Sequence, residues 1–368
     1  MYKFSVNRQV FADAVNHVKV GVAVKSTIPQ LECLKLELTP GALELTGYDL
    51  NFGIQYTIPA ETQDTGAFLI APNLLSGAVS RLSAETVQVT VEDNYRVKLS
   101  CGGSRLQLSA MTAEEYPQIP EQDKEHTLEV GQDVLKSMIN QTKYATSTSE
   151  ARPILTGELF ELEPGQLHVA AIDGFRLAVR QEPLQNEETD SFVVPRVTLE
   201  RVTSLLSDDA ETPCTICHGK SNVMFSCNGY TVFSRLLEGE FHNYKRSIPD
   251  KYETEAIVNT EDIRRSLDRC GLLISGKYNE PVRCTFSEAG LEIVCATALG
   301  ELRDTIPAKV SGPDVTIGFD DHFFMDAVRA AETDTLRIQL TGGNRVAKLL
   351  PPEGESFIFL LMPIQLRA

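Results

Sequence analysis

The residues whose types and spacing most readily suggest chemistry are Cys214-Thr-Ile-Cys217-His218. C-x-x-C-H is the spacing of covalent c-type haem attachment. A zinc site would need a further Cys or His pair, and only Cys227 is close. Two carboxylates form a second candidate, Asp49 in Gly47-Tyr-Asp49-Leu and Asp173 in Ile172-Asp173-Gly-Phe. Placed just after apolar stretches, they could serve acid/base chemistry, or accept backbone hydrogen bonds that organise a turn. No phosphate-binding G-x-x-x-x-G-K-[ST] or G-x-G-x-x-G run is present, nor H-E-x-x-H, G-x-S-x-G or a calcium loop. The six histidines are dispersed. The pattern points away from an enzyme and implies neither metal nor cofactor.

Comparison of the chain with itself decides between these readings. Gly41-Ala-Leu43-Glu-Leu45 recurs as Gly165-Gln-Leu167-His-Val169 and as Ala289-Gly-Leu291-Glu-Ile293, with the three leucines at equal steps of 124 residues. Repeats in solenoids are only about 20–50 residues long, so this period indicates three copies of one domain. Each copy opens with a short strand leading into a helix: Phe4 to Val15, Leu128 to Ile139 and Ile257 to Leu267. Second helices are expected over Pro72 to Leu82, Pro195 to Leu206 and Asp320 to Ala331. Proline near a helix start leaves no backbone N–H unsatisfied. Alternating hairpins follow, Val87 to Leu99 in the first copy and Leu336 to Leu349 in the third, each expected to turn one face to a core and one to water. The polar stretches Gln118 to His126 and Lys245 to Glu255 are expected to be linkers. The class is therefore α+β: three similar domains, each with two helices on antiparallel sheet, at 1–120, 127–246 and 254–368.

At a step of 126, Ser226-Cys227-Asn-Gly229 falls on Ser100-Cys101-Gly-Gly103. That register places Cys217 on Val91 and His218 on Glu92, where a sister domain uses ordinary strand residues. The C-x-x-C-H run is thus expected to be structural. Unit three carries Thr297 where the others carry Asp49 and Asp173, which favours the turn over catalysis.

The 368 residues, 42% hydrophobic and 23% charged, suit a soluble protein of several domains. No apolar run is long enough to span a membrane, and the first residues contain no apolar signal core. The eight cysteines show no disulfide-framework spacing and are expected to be reduced thiols in the cytoplasm. A net charge of −17 argues against a broad basic DNA-gripping surface but permits basic residues concentrated on one face. Many basic residues do fall on expected helices: Lys19 and Lys25 end the first and Arg81 the second; Lys136, Lys143, Arg196 and Arg201 follow in unit two, and Arg264, Arg265, Arg269 and Arg329 in unit three. A solvated helix face and a DNA-facing surface fit this distribution equally. The apolar ending Phe357 to Leu361 is expected to be a buried strand. Met362-Pro363-Ile364 leaves it, because proline has no N–H to donate to a central strand, and could line a groove for a partner peptide.

Several segments together resemble the bacterial DNA polymerase III β-subunit family, the replicative sliding clamps, over the whole length. They are Leu45-Thr-Gly-Tyr-Asp49-Leu, Arg152-Pro-Ile-Leu155-Thr-Gly, Ala171-Ile-Asp-Gly-Phe-Arg176-Leu177-Ala, Val194-Pro-Arg196, Glu240-Phe-His-Asn-Tyr244-Lys-Arg246 and the Met362-Pro363 ending. The resemblance implies a DNA-clamp fold and a head-to-tail homodimeric ring that encircles duplex DNA. Such a ring tethers polymerase without catalysing anything, and its helices face the hole. It also implies a pocket for short motifs of the DNA polymerase III α subunit, the clamp-loader δ subunit, and other polymerases and repair proteins. The matching pocket positions are Leu155, Gly174, Phe175, Arg176 and Leu177, then His242, Arg246 and Ser247, and finally Leu360, Met362, Pro363 and Ile364. His242, Ser247 and Ile364 depart from the family's common proline, valine and second methionine. Implied DNA contacts are Lys25 (in place of arginine), Arg81, Lys136, Lys143, Arg196 and Arg201. Ser149, Pro153 and Ile154 replace the family's polar or aromatic contacts. The implied dimer interface joins Leu106 and Leu108 of one chain to Leu272 and Leu273 of the other.

Overall fold

A computed structural model describes residues 1–120, 126–209, 211–274 and 280–366. Residues 121–125, within the first expected linker, lie outside that set. The chain divides into two compact units, one of Met1–Asp133 with Ser204–Leu236, the other of Val134–Thr203 with Leu237–Ala368.

The first unit is built on one antiparallel sheet of twelve strands, from Tyr2–Asn7 at one edge to His126–Gly131 at the other. The seam between the first and central repeats pairs Phe52–Pro59 with Tyr230–Arg235, where Tyr56 stacks on Tyr230 at 3.8 Å. The second unit holds a nine-stranded and a four-stranded sheet. The seam of its larger sheet pairs Arg176–Pro183 with the final strand Phe357–Leu361. Strands of the central repeat therefore complete sheets in both units.

The threefold repeat has a direct packing basis. Leu43 pairs with Leu38, Leu167 with Leu162 and Leu291 with Phe286, and all six side chains are buried. In the first two copies the turn before this leucine uses Gly41 and Gly165 at φ +83° and +82°, a conformation that costs glycine nothing.

Among the described residues the α-helices are α1 (Arg8–Val18), α2 (Pro72–Val79), α3 (Gln132–Thr142), α4 (Arg196–Leu205), α5 (Thr260–Cys270) and α6 (Asp321–Ala330). Asn7, Asn259 and Asp320 cap α1, α5 and α6 by accepting from backbone N–H groups of the first turn. Helix α2 stops short of the expected Leu82. Its last N–H groups, from Arg81 and Leu82, tighten onto the carbonyls of Ala78 and Val79 at 3.2 Å.

Three expectations need correction. The third hairpin is not half-solvated, because all four residues of Ala347–Leu350 are buried within the nine-stranded sheet. The second linker does not start at Lys245, whose ammonium is held by Glu161 at 2.9 Å and Glu163 at 2.5 Å. The register of the C-x-x-C-H strand is also off by one. Cys214, Ile216 and His218 are buried, as are Val87, Val89 and Val91, so His218 and not Cys217 takes the place of Val91. The turn that follows is one residue shorter in the central repeat, joining His218↔Val223 where the first joins Val91↔Val97. Strand alternation then sends Cys217 to the face opposite Cys214 and His218, so the motif cannot close on one ion.

Candidate functional site

The second unit contains a cradle assembled around Arg176. Asp173 Oδ1 accepts from the backbone N–H groups of Phe175 at 2.9 Å and Arg176 at 3.0 Å. Gly174 supplies the φ of +95° that this tight turn requires. The same device organises the sister turns: Asp49 accepts from Asn51 and Phe52, and Thr297 Oγ1 from Leu299. These carboxylates hold turns, and the acid/base reading falls away.

The Arg176 side chain is only 11% exposed and is held from two sides. Its Nε donates to Asp173 Oδ2 at 3.0 Å and its Nη1 to Asp326 Oδ2 at 2.5 Å. Its guanidinium carbon lies 4.4 Å from the Phe323 ring centroid and 5.3 Å from that of Tyr144. Burial pushes the Tyr144 phenol well above its ordinary range, so it stays neutral beside the cation. Phe323, Asp326 and Tyr144 were missed in the sequence. Phe323 and Asp326 stand three apart on α6 and share a face, a signal of helical spacing and not of linear motif.

Backbone pairing joins this turn to the C-terminal strand. Arg176 pairs with Leu361 and Leu177 with Leu360, and the Met362 N–H donates to the Phe175 carbonyl at 2.9 Å. Phe175 and Met362 are 61% and 51% exposed, leaving two large apolar side chains beside the buried guanidinium. Leu177 and Leu360 lie beneath the surface in a cluster with Leu159 and Tyr244, against which Ile154 and Phe241 pack. Leu155 is half-buried in the short 3-10 turn Pro153–Thr156. His242, Arg246 and Ser247 are exposed on a segment anchored by Tyr244, whose hydroxyl donates to Glu161 at 2.7 Å. Ile364 bridges instead to Gly318, so Pro363 and Ile364 follow a different strand from Met362.

Comparison with known proteins places this arrangement. Residues 2–120, 129–243 and 245–365 match the N-terminal, central and C-terminal domains of the DNA polymerase III beta subunit. The chain belongs to that family. It is 30% identical to the beta sliding clamp of Bacillus subtilis, covering 99% of each chain. The solved sliding clamp of the same species superposes with a TM-score of 0.95 at 28% identity, covering all of both chains. The beta subunit from Streptococcus pyogenes DNA polymerase gives 0.94 at 27% identity, covering 99% of this chain and all of that one. The function is that of a DNA sliding clamp, a non-catalytic processivity subunit.

Within this β subunit the basic residues are held quite differently from Arg176. On α5, Arg264 pairs with Glu261 and Asp268, and Arg265 with Glu261. Arg269 reaches Asp304, and Arg329 of α6 reaches Asp268. Acid and base thus alternate on these helices. Arg196 pairs with Glu200, Lys143 donates to Asn140, and Arg81 donates to the Gly77 carbonyl. Lys136 and Arg201 lie on α3 and α4, while Lys25 is exposed in a loop beyond α1 and does not end that helix.

The expected interface leucines divide into two kinds. Leu106 and Leu272 are exposed, the latter at 80%. Leu108 is buried, and Leu273 packs against its own domain core. Two strand edges are open among the described residues, one containing Leu106 and Leu108 and the other beginning at Gly300 beside Leu273. Residues 104–109 pair on one side only, and Gly300–Ile306 is the edge of the four-stranded sheet.

Among the described residues no helix is long and apolar enough to cross a membrane. All eight cysteines are free thiols.

Proposed function

We propose that this clamp acts in the cytoplasm as a head-to-tail homodimer of domains 1–120, 127–246 and 254–368, enclosing duplex DNA without gripping it. Its Arg176 cradle then docks short linear motifs of the DNA polymerase III α subunit, the clamp-loader δ subunit and other polymerases and repair proteins. The observation that carries the docking reading is the pairing of open apolar side chains, Phe175 and Met362, with an arginine fixed in place by donating from Nε to Asp173 and from Nη1 to Asp326. Such a site selects apolar motif residues and leaves charge selection to exposed groups such as Arg246. The DNA reading is supported by cations that already have carboxylate partners on the surface. Solvent-exposed pairs of this kind are weak, so phosphates can exchange with carboxylates as the duplex moves.

For the dimer, Leu106 with Leu108 and Leu272 with Leu273 mark the two open strand edges as complementary ends, Leu106 and Leu272 being the exposed members. A heterologous contact of this kind closes into a ring only if its rotation suits the subunit number. Because Leu273 also supports its own domain core, Leu272→Asp is the cleaner test of the interface. Light scattering on the eluting protein should give twice 40.6 kDa for the wild type and 40.6 kDa for Leu272→Asp. A wild-type monomer at micromolar concentration would remove the ring from this reading.

A further inference from the structure

One rung of the first unit's sheet carries two histidines where the sister repeats carry none. His126 and His218 are Cα partners at the end of the ladder joining His126–Gly131 to Pro213–His218. The corresponding rungs are Tyr2 with Val91 in the first repeat and Thr254 with Leu340 in the third. The two imidazoles stack with centroids 5.2 Å apart and planes at 17°, and their ring nitrogens lie within 4.8 Å of one another. His218 is only 2% exposed and His126 is half-buried. Leu128 and Ile216 continue the same buried face up the ladder.

We infer that His126 and His218 form a two-imidazole site for a late first-row divalent cation, with Zn²⁺ as its probe. Imidazole suits Zn²⁺, Cu²⁺ and Ni²⁺ better than it suits Mg²⁺ or Ca²⁺. A metal about 2.0–2.1 Å from each nitrogen sets the nitrogens about 3.0–3.4 Å apart, so the two rings must turn out of their stack to aim their in-plane lone pairs at it. The backbone register already does the costly part, holding two donors from distant parts of the chain on one face. Cys217 is not a ligand, since it faces away and its Sγ meets Thr127 Oγ1 at 3.3 Å. Bound there, the ion fastens the edge strand His126–Gly131 to its neighbour. Binding requires neutral imidazoles, so it weakens as acid protonates them.

The test is calorimetric titration of the full chain, first stripped with a chelator, with Zn²⁺ at pH 7.5 and at pH 5.5. The expected result is one equivalent bound at pH 7.5 and a rise in thermal midpoint. Affinity should fall at least tenfold in His126→Gln and in His218→Gln, fall at pH 5.5, and stay unchanged in Cys217→Ser. Because His218 is buried, unfolding curves in chelator establish whether His218→Gln is folded; if it is not, the half-buried His126→Gln decides. Binding unchanged in His126→Gln, binding lost in Cys217→Ser, or no Zn²⁺ uptake at pH 7.5 would each overturn the site.

Discussion

The clamp holds its positive charge in two contrasting ways. Arg176 is buried, paired with two carboxylates and covered by Phe323 and Tyr144. The arginines of α5 and α6 are solvent-facing and share Glu261 and Asp268 in surface ion pairs. A guanidinium that must fix the shape of a docking surface is worth immobilising, because a binding site loses affinity when its walls must be ordered on contact. A cation that must let a polyanion pass is better left solvated, where each contact is weak and quickly exchanged. On the function proposed above, the same residue type positions a docking surface when largely buried and lets DNA slide when exposed.

The strongest way to break this comparison is Arg176→Ala. It strips Asp173 and Asp326 of their shared partner and lets the Phe175 turn relax. Removing one partner of a largely buried pair costs about 3 kcal/mol. Affinity for a clamp-binding peptide, read by fluorescence anisotropy, should fall more than a hundredfold; a loss under tenfold would place the binding energy elsewhere.

Glu158 tests a buried charge with an incomplete brace. Burial lifts its carboxyl to about 8, opposed by the Thr142 hydroxyl at 2.5 Å and by Lys143 and Arg196. The unfolded chain releases this proton near 4.5, whereas the fold keeps it to about 8. Stability is therefore fully present below 4.5 and declines as pH rises towards 8. Glu158→Gln should remove that decline and be the more stable protein at pH 8, by an amount on the order of a few kcal/mol. Urea midpoints at pH 5 and pH 8 check this, and parallel slopes for the two proteins would refute it.

Much of the fold was legible in the sequence because the repeat carries it. The leucines at equal steps lie at buried rungs, and the strand-then-helix opening of each copy falls where it was expected. The turn role of Asp49, Asp173 and Thr297 was legible for the same reason. What was not legible depended on contacts distant along the chain. Nothing near Arg176 in sequence names Asp326, and nothing near His218 names His126. A turn shortened by one residue shifted the C-x-x-C-H strand, and a fixed step could not register the change. The buried hairpin of the third repeat escaped for a related reason, since its alternation resembles that of a strand with one wet face.

A smaller effect separates docking from folding. Phe175→Ala or Met362→Ala removes exposed apolar surface, so peptide affinity should drop about tenfold while the thermal midpoint moves little. A midpoint that falls with the affinity would mean that these side chains support the core.

Smallest of all should be single changes among the exposed cations. Lys25→Ala or Arg265→Ala should change DNA association less than about twofold, with the salt slope altered by less than one phosphate contact. A tenfold loss from either would mean that the duplex is gripped.

The most direct test of enclosure without gripping uses the clamp loaded by its cognate loader onto nicked circular duplex DNA. The account predicts retention on the circle in 0.5 M salt (roughly beyond where phosphate contacts alone would hold) and prompt loss once the circle is linearised. Equal dissociation from circle and linear DNA, with the same dependence on salt, would contradict it.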